Sequence, residues 1–182
     1  ASFFIAQFLA SPWIGRLSDR YGRLPVLIVS QIGTVLSFLI MGTAESLPIL
    51  FLGRVLDGIT GGNIIVAQAY LTDITPAKQR TRGLGITWAA FGAGLIFGPP
   101  LGGLLASFGE QMPFSGGALI SALTVLLTWW LLDESLTPEM RAERRAHHSD
   151  ALDWSHIRRN TPLLLILVIG FCAQLSMMLF QS

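Results

Sequence analysis

The chain has 182 residues, 52% of them hydrophobic and only 13% charged, with a formal net charge of +1 at neutral pH. A soluble domain carries about 25% charged residues, so the composition excludes an ordinary water-soluble domain. The net charge is uninformative as a sum; the distribution of the charges is the useful quantity, and no nucleic-acid partner is expected. The single cysteine, Cys172, excludes a disulfide within the chain.

The charges are clumped, and the runs between the clumps have membrane-crossing lengths. Residues 24–44, 83–109, 111–132 and 160–182 contain no Asp, Glu, Lys or Arg, and roughly 20 apolar residues cross a hydrocarbon core. Residues 47–70 are a fifth run of sufficient length, interrupted by Arg54 and Asp57. Residues 1–15 are a sixth, apolar but short, without the basic leader of a signal peptide. The pattern predicts an all-α, polytopic membrane protein. Its short first run and the unflanked last one are read as an internal piece of a longer chain, entering partway through one helix and ending near the end of another.

The first run carries the amide Gln7, which either lines a polar path or holds two helices together. The following segment, GRLSDRYGRLPVLI (residues 15–28), is expected as a tight loop over residues 16–23. Gly15 and Gly22 permit close approach or positive φ, and Ser18 and Asp19 can accept hydrogen bonds at a helix start. Asp19 and Arg23, four apart, would pair if the segment were helical.

Arg54 in the third run lies about 9 Å from the outer end of a helix starting at Pro48, with Asp57 one turn deeper. A central Arg or Asp costs roughly 2.5–3.5 kcal/mol on insertion scales, so neither should face lipid. Their spacing puts both on one face, either as a structural ion pair or as a site for an anionic group or a proton. Burial and the guanidinium act on the Asp57 proton in opposite senses, and the sequence leaves the balance open. Asn63 and Gln68 are further intramembrane amides in this run. Thr75-Pro76 predicts the start of a short turn before the next span. There, Ala90, Gly94, Gly98, Gly102 and Ala106 recur every four residues, a small-residue face that allows close helix approach. Pro99 and Pro100 remove two backbone donors and predict a kink.

Five loops alternate in basic content. Loops at residues 16–23, 73–82 and 133–160 carry 3, 3 and 5 Lys or Arg, whereas residues 43–47 and 108–113 carry none, which is the positive-inside pattern. The basic loops are therefore expected in the cytoplasm, with Trp13, Trp88, Trp129 and Trp130 near that interface. The organisation expected is a transmembrane bundle at 1–132, an inter-bundle linker at 133–160 and the start of a second bundle at 161–182. Within the linker, Leu152, Trp154 and Ile157 beside Arg158 and Arg159 read either as a surface helix or as solvated chain. His147, His148 and His156 lie too far from the spans to relay protons. No nucleophile triad, metal-ligand spacing or phosphate loop is present, so catalysis, a metal and a cofactor are not expected.

Three of these motifs together carry a family resemblance. GRLSDRYGRLPVL resembles the major facilitator superfamily signature between its second and third spans, matching at Gly15, Asp19, Arg20, Gly22 and Arg23, with Leu24 where a basic residue is usual. FLGRVLDGITGGNIIVAQAYLTDIT (residues 51–75) resembles the fourth-span signature. GAGLIFGPPLGG (residues 92–103) resembles the fifth-span motif of proton-coupled drug antiporters at Gly94, Gly98, Pro99, Gly102 and Gly103. The subgroup it looks most like is the tetracycline-efflux-like drug:proton antiporters.

The resemblance implies spans two to seven of twelve, partnered by the remaining C-terminal half, in the inner membrane. It implies a gating charge network of Asp19, Arg23 and Asp73, and a fifth-span bend sealing the bundle interface. It implies coupling of a small-molecule substrate to protons, with the gradient as energy source and Gln7, Arg54 and Asp57 as cavity candidates. Two departures, Asp57 where those exporters have a small residue and Ser37 where they carry an acid, point to a relocated proton site or to a substrate other than tetracycline. A metabolite or sugar facilitator and a transport-inactive receptor-like relative are the rival readings.

Overall fold

The computed structural model describes residues 2–137, 139–141, 165 and 169. Apart from Leu165 and Ile169, which are helical, the expected surface helix, the three histidines and the run at 161–182 lie outside the described residues. The chain divides into residues 1–142 and 143–182, and nearly all the described residues belong to the first unit.

That unit is helical throughout its described regular structure: α1 (Ser2–Tyr21), α2 (Arg23–Gly42), α3 (Leu47–Thr60), α4 (Asn63–Ile74), a 3-10 turn (Ala77–Gln79), α5 (Arg80–Ala106) and α6 (Met112–Leu131). Among the described residues, four segments are long and apolar enough to cross a membrane, namely α2, Leu47–Ile74, Ala77–Ala106 and α6. They fall on the apolar runs at 24–44, 47–70, 83–109 and 111–132, because a chain without water must satisfy its backbone internally, and a helix does so within one segment. Large apolar side chains on their outer faces are exposed, Trp13, Trp88, Trp129 and Trp130 among them. A solvent-facing domain would not present such a surface.

α1 corrects the sequence reading. Residues 16–21 do not form a loop: the helix runs through Arg16, Asp19 and Arg20 to Tyr21, leaving Gly22 alone as the connection to α2. Gly22 still donates its N–H to Ser18 O at 3.1 Å, so the helical ladder persists to the end. The 3-10 turn starts one position later than expected, with Pro76 as its cap and Thr75 extended.

The run expected as one fourth span is two helices. Gly61 and Gly62 adopt turn geometry and separate α3 from α4. α2 is the central element, packing against α1, α3, α4 and α6. The α1–α3 contact is close enough to require glycine: a Cβ at Gly58 would lie 2.5 Å from the Phe3 carbonyl oxygen and 2.8 Å from Ala6 Cβ. A small apolar core of Val26, Leu27 and Val66, flanked by Ile14, Ala67 and Leu132, sits below the α1–α2 junction. α5 packs against α4 and α6 yet buries none of its own residues.

Candidate functional site

Three helix ends converge at that junction. Arg23, the first residue of α2, sends its guanidinium to the ends of α1 and α4. Nη2 meets Asp19 Oδ1 at 2.7 Å and Nε meets Asp73 Oδ2 at 3.1 Å, while Nη1 donates to Ser18 Oγ at 2.5 Å. Ser18 Oγ in turn donates to Gly15 O at 2.8 Å. The Arg23 and Asp73 side chains are 6% and 7% exposed, so this cluster is largely withdrawn from water. A planar guanidinium with donors in a fixed fork can serve three acceptors at once, which an ammonium on a flexible stem cannot do with the same geometry.

The fourth member was not apparent from the sequence. Glu134, just beyond α6, accepts the backbone N–H of Arg23 on Oε1 at 2.9 Å and that of Leu24 on Oε2 at 3.3 Å. It also accepts Leu136 N–H at 3.1 Å and pairs with Arg141 Nη2 at 3.4 Å. Ser18 and Asp19 therefore do not cap α2, as the sequence suggested; a carboxylate 111 residues away does. The charge at this helix N-terminus is the favourable one for the macrodipole. Tyr70 adds a second tie, donating to Asp133 O at 2.9 Å. Residues 133–137 are thus pinned to the bundle, at the beginning of the segment expected as linker. The available signal was the acid pair Asp133-Glu134 directly after a charge-free span.

Gly22 makes the arrangement possible. Its φ of 114° lies where side chains are strained, and a Cβ there would come within 2.9 Å of both Glu134 Cδ and Arg141 Nη2. Arg20 lies over the Tyr21 ring at 5.5 Å, a cation–π contact at the outer margin of the cluster.

The intramembrane candidates are arranged differently. Arg54 is exposed and Asp57 half-buried on α3, and the ion pairs among the described residues do not include them. Gln7 Nε2 donates to Gly61 O at 2.9 Å, so this amide occupies a carbonyl at the α3–α4 break. Ser37, completely buried, donates its hydroxyl to Gly33 O at 2.7 Å and is satisfied within α2. Between α1 and α3 an apolar crevice of about 690 Å³ is walled by Ile5, Leu9, Phe51, Val55 and Ile59, with Arg54 next to Val55 in sequence. On α5, a Cβ at Gly94, Gly98, Gly102 or Gly103 would meet nothing within 4 Å, and the helix continues unbroken through Pro99 and Pro100. The close packing expected of this face is therefore not made within the first unit.

Comparison with known proteins agrees with this architecture. The model of the Major Facilitator Superfamily matches residues 1–182. The tetracycline resistance protein, class C, of Escherichia coli is 37% identical over 175 residues, covering 96% of this chain and 44% of the relative. Multidrug resistance protein 2 of Bacillus subtilis (strain 168) is 36% identical over 152 residues, 83% of this chain and 38% of the relative. The chain thus spans less than half the length of these relatives. The crystal structure of the human organic anion transporter MFSD10 (TETRAN) superposes with a TM-score of 0.71 at 31% identity, over 76% of this chain and 32% of that one. On its full-length family match and these identities, the chain belongs to the major facilitator superfamily and resembles its tetracycline-resistance members.

Proposed function

We propose that the complete protein is a secondary active transporter that exports small apolar or amphipathic compounds, tetracycline-like drugs among them, in exchange for protons. It would work by alternating access of two bundles about a midplane site, with the proton gradient as energy source and neither cofactor nor catalysis. The observation that carries this reading is the Arg23 cluster. One guanidinium ties the ends of α1, α2 and α4 together through Asp19 and Asp73, a discrete charge lock of the kind that can be made in one state and broken in another. Gly15, Arg20 and Gly22 complete the segment that positions it. The charge asymmetry of the loops supports an inner-membrane protein with this end in the cytoplasm.

Substrate would enter beside α1 and α3, where an apolar crevice lies near Gln7, Arg54 and Asp57. Asp57 is the proton-site candidate, since Ser37 offers no titratable group. The α5 face of Gly94, Gly98, Pro99, Gly102 and Gly103 would meet the remaining C-terminal half of the chain. The test uses everted vesicles containing the complete protein, with an acidic lumen and a pH-sensitive dye. Lumenal alkalinisation by a drug from a broad panel, lost in Asp19→Asn while membrane insertion persists, is the expected result. Silence across the panel from correctly inserted protein would favour a metabolite facilitator or a transport-inactive relative.

One observation favours a narrower substrate class. Arg54 is exposed and is in no ion pair among the described residues, which supports a site for an anionic group, and the MFSD10 neighbour is an organic anion transporter. Amphipathic anions therefore belong in the panel.

A further inference from the structure

A polar pocket, open on one side where Thr124 is exposed, lies away from the crevice, between α2, α4 and α6. It has a volume of about 160 Å³ and is lined by Gln31, Thr34, Asn63, Ser121 and Thr124, all of them polar and none of them charged. Gln31 is eight residues into α2 from Arg23, about 12 Å along the axis, and Ser121 and Thr124 are near the middle of α6. The cavity is therefore at mid-depth of the spans, where a bilayer supplies no water to satisfy polar groups.

Its hydrogen bonding is unbalanced. Thr34 Oγ1 already donates to Ser30 O at 3.3 Å, and Thr124 Oγ1 donates to Ile120 O at 2.9 Å. Both hydroxyls thus present acceptor lone pairs to the cavity. Gln31 Oε1 is buried and has no hydrogen-bond partner among the described residues. Buried polar atoms are almost always paired, and one left unpaired signals a missing partner. What is missing here is a donor. A neutral donor fits best, since no carboxylate lines the cavity to neutralise a cation at this depth.

We infer that this cavity is a hydration site, holding a small cluster of water molecules that bridge α2, α4 and α6. The volume exceeds the ~30 Å³ each water takes up in the liquid several-fold, so the pocket has room for more than one. Water also fits whichever way the Gln31 amide is turned, because it donates and accepts. The position has a structural use. Asn63, in the lining, is the first residue of α4 and follows the Gly61-Gly62 break. Gln7 binds the break from α1, and the waters would bind it from the opposite side. The α3–α4 joint would then be held by exchangeable rather than fixed contacts.

The test uses the full-length protein in lipid nanodiscs. Cysteine replaces Ser121 in a background lacking Cys172 and any other cysteine, and is converted to the thiocyanate, a nitrile infrared probe. The same label at Leu119, 64% exposed on the same helix, serves as the hydrocarbon reference. The expected result is a nitrile band at Ser121→Cys displaced to the higher wavenumber of a water-bonded nitrile. A band coinciding with the Leu119→Cys reference would mean a dry cavity and overturn the inference. Gln31→Met, unlabelled, gives an independent sign. With water present, Tm falls, because the cluster loses an acceptor. In a dry cavity it rises, because a stranded oxygen is removed, and a rise would equally overturn the inference. A band or Tm that responds to replacing sodium by choline would replace water with an alkali cation and also defeat it.

Discussion

Arg23 stands where a helix least favours a cation, at the positive end of the α2 macrodipole. Three carboxylates compensate: Asp19 and Asp73 on the guanidinium, and Glu134 on the amides of Arg23 and Leu24. Removing the guanidinium strands two acids beside a buried hydroxyl. Breaking a buried pair from one side costs about 3–5 kcal/mol, so Arg23→Met is expected to lower folded yield severely and Arg23→Lys to lose transport with a smaller loss of Tm. Glu134→Ala removes a helix cap, worth about 1 kcal/mol. It should lower Tm by a few degrees, with Glu134→Gln retaining part of the effect through its remaining carbonyl oxygen. At Gly22 an alanine meets both an unfavourable φ and the Glu134 carboxylate, and strain of this kind costs about 1–3 kcal/mol. Gly22→Ala should therefore be less stable than Glu134→Ala, and the pair should be non-additive in a double-mutant cycle because both act on one contact.

Between elements, the joints are made of glycine and single hydrogen bonds. Gly58 lets α3 lie directly on the backbone of α1. Gly58→Val is expected to force the two helices apart and reduce thermal stability, measured on detergent-solubilised protein. Gly94→Ala should leave stability unchanged, because no neighbour occupies that space in this unit. If α5 meets the second bundle as proposed, the same Gly94→Ala protein should transport more slowly in the vesicle assay. The α3–α4 break was legible only in part. Gly61-Gly62 is a visible breaker, but two adjacent glycines in an apolar run also read as close packing, and the run has the length of a single span. Its partner Gln7 is 54 residues earlier, a distance no local pattern conveys.

For the molecule as a whole, the chain spans less than half the length of its tetracycline-resistance relatives. If the complete protein works as proposed, residues 1–182 expressed alone should insert into membranes without supporting drug-dependent proton flux. Membrane class and the placement of the four apolar spans found among the described residues were determined by the sequence itself, because apolar length against the thickness of hydrocarbon is a one-dimensional criterion. The three members of the Arg23 charge cluster were likewise legible, through the family resemblance that joins Asp19 and Arg23, four residues apart, to Asp73 at the end of the fourth span; their contacts are made here. The tertiary structure alone decided that residues 16–21 are helix, that Glu134 rather than a local side chain caps α2, and that Gln31 faces a polar cavity without a partner. Those outcomes depend on which helix ends and faces meet across many tens of residues, and electrostatic and hydrogen-bond partners are chosen by distance in space, not along the chain.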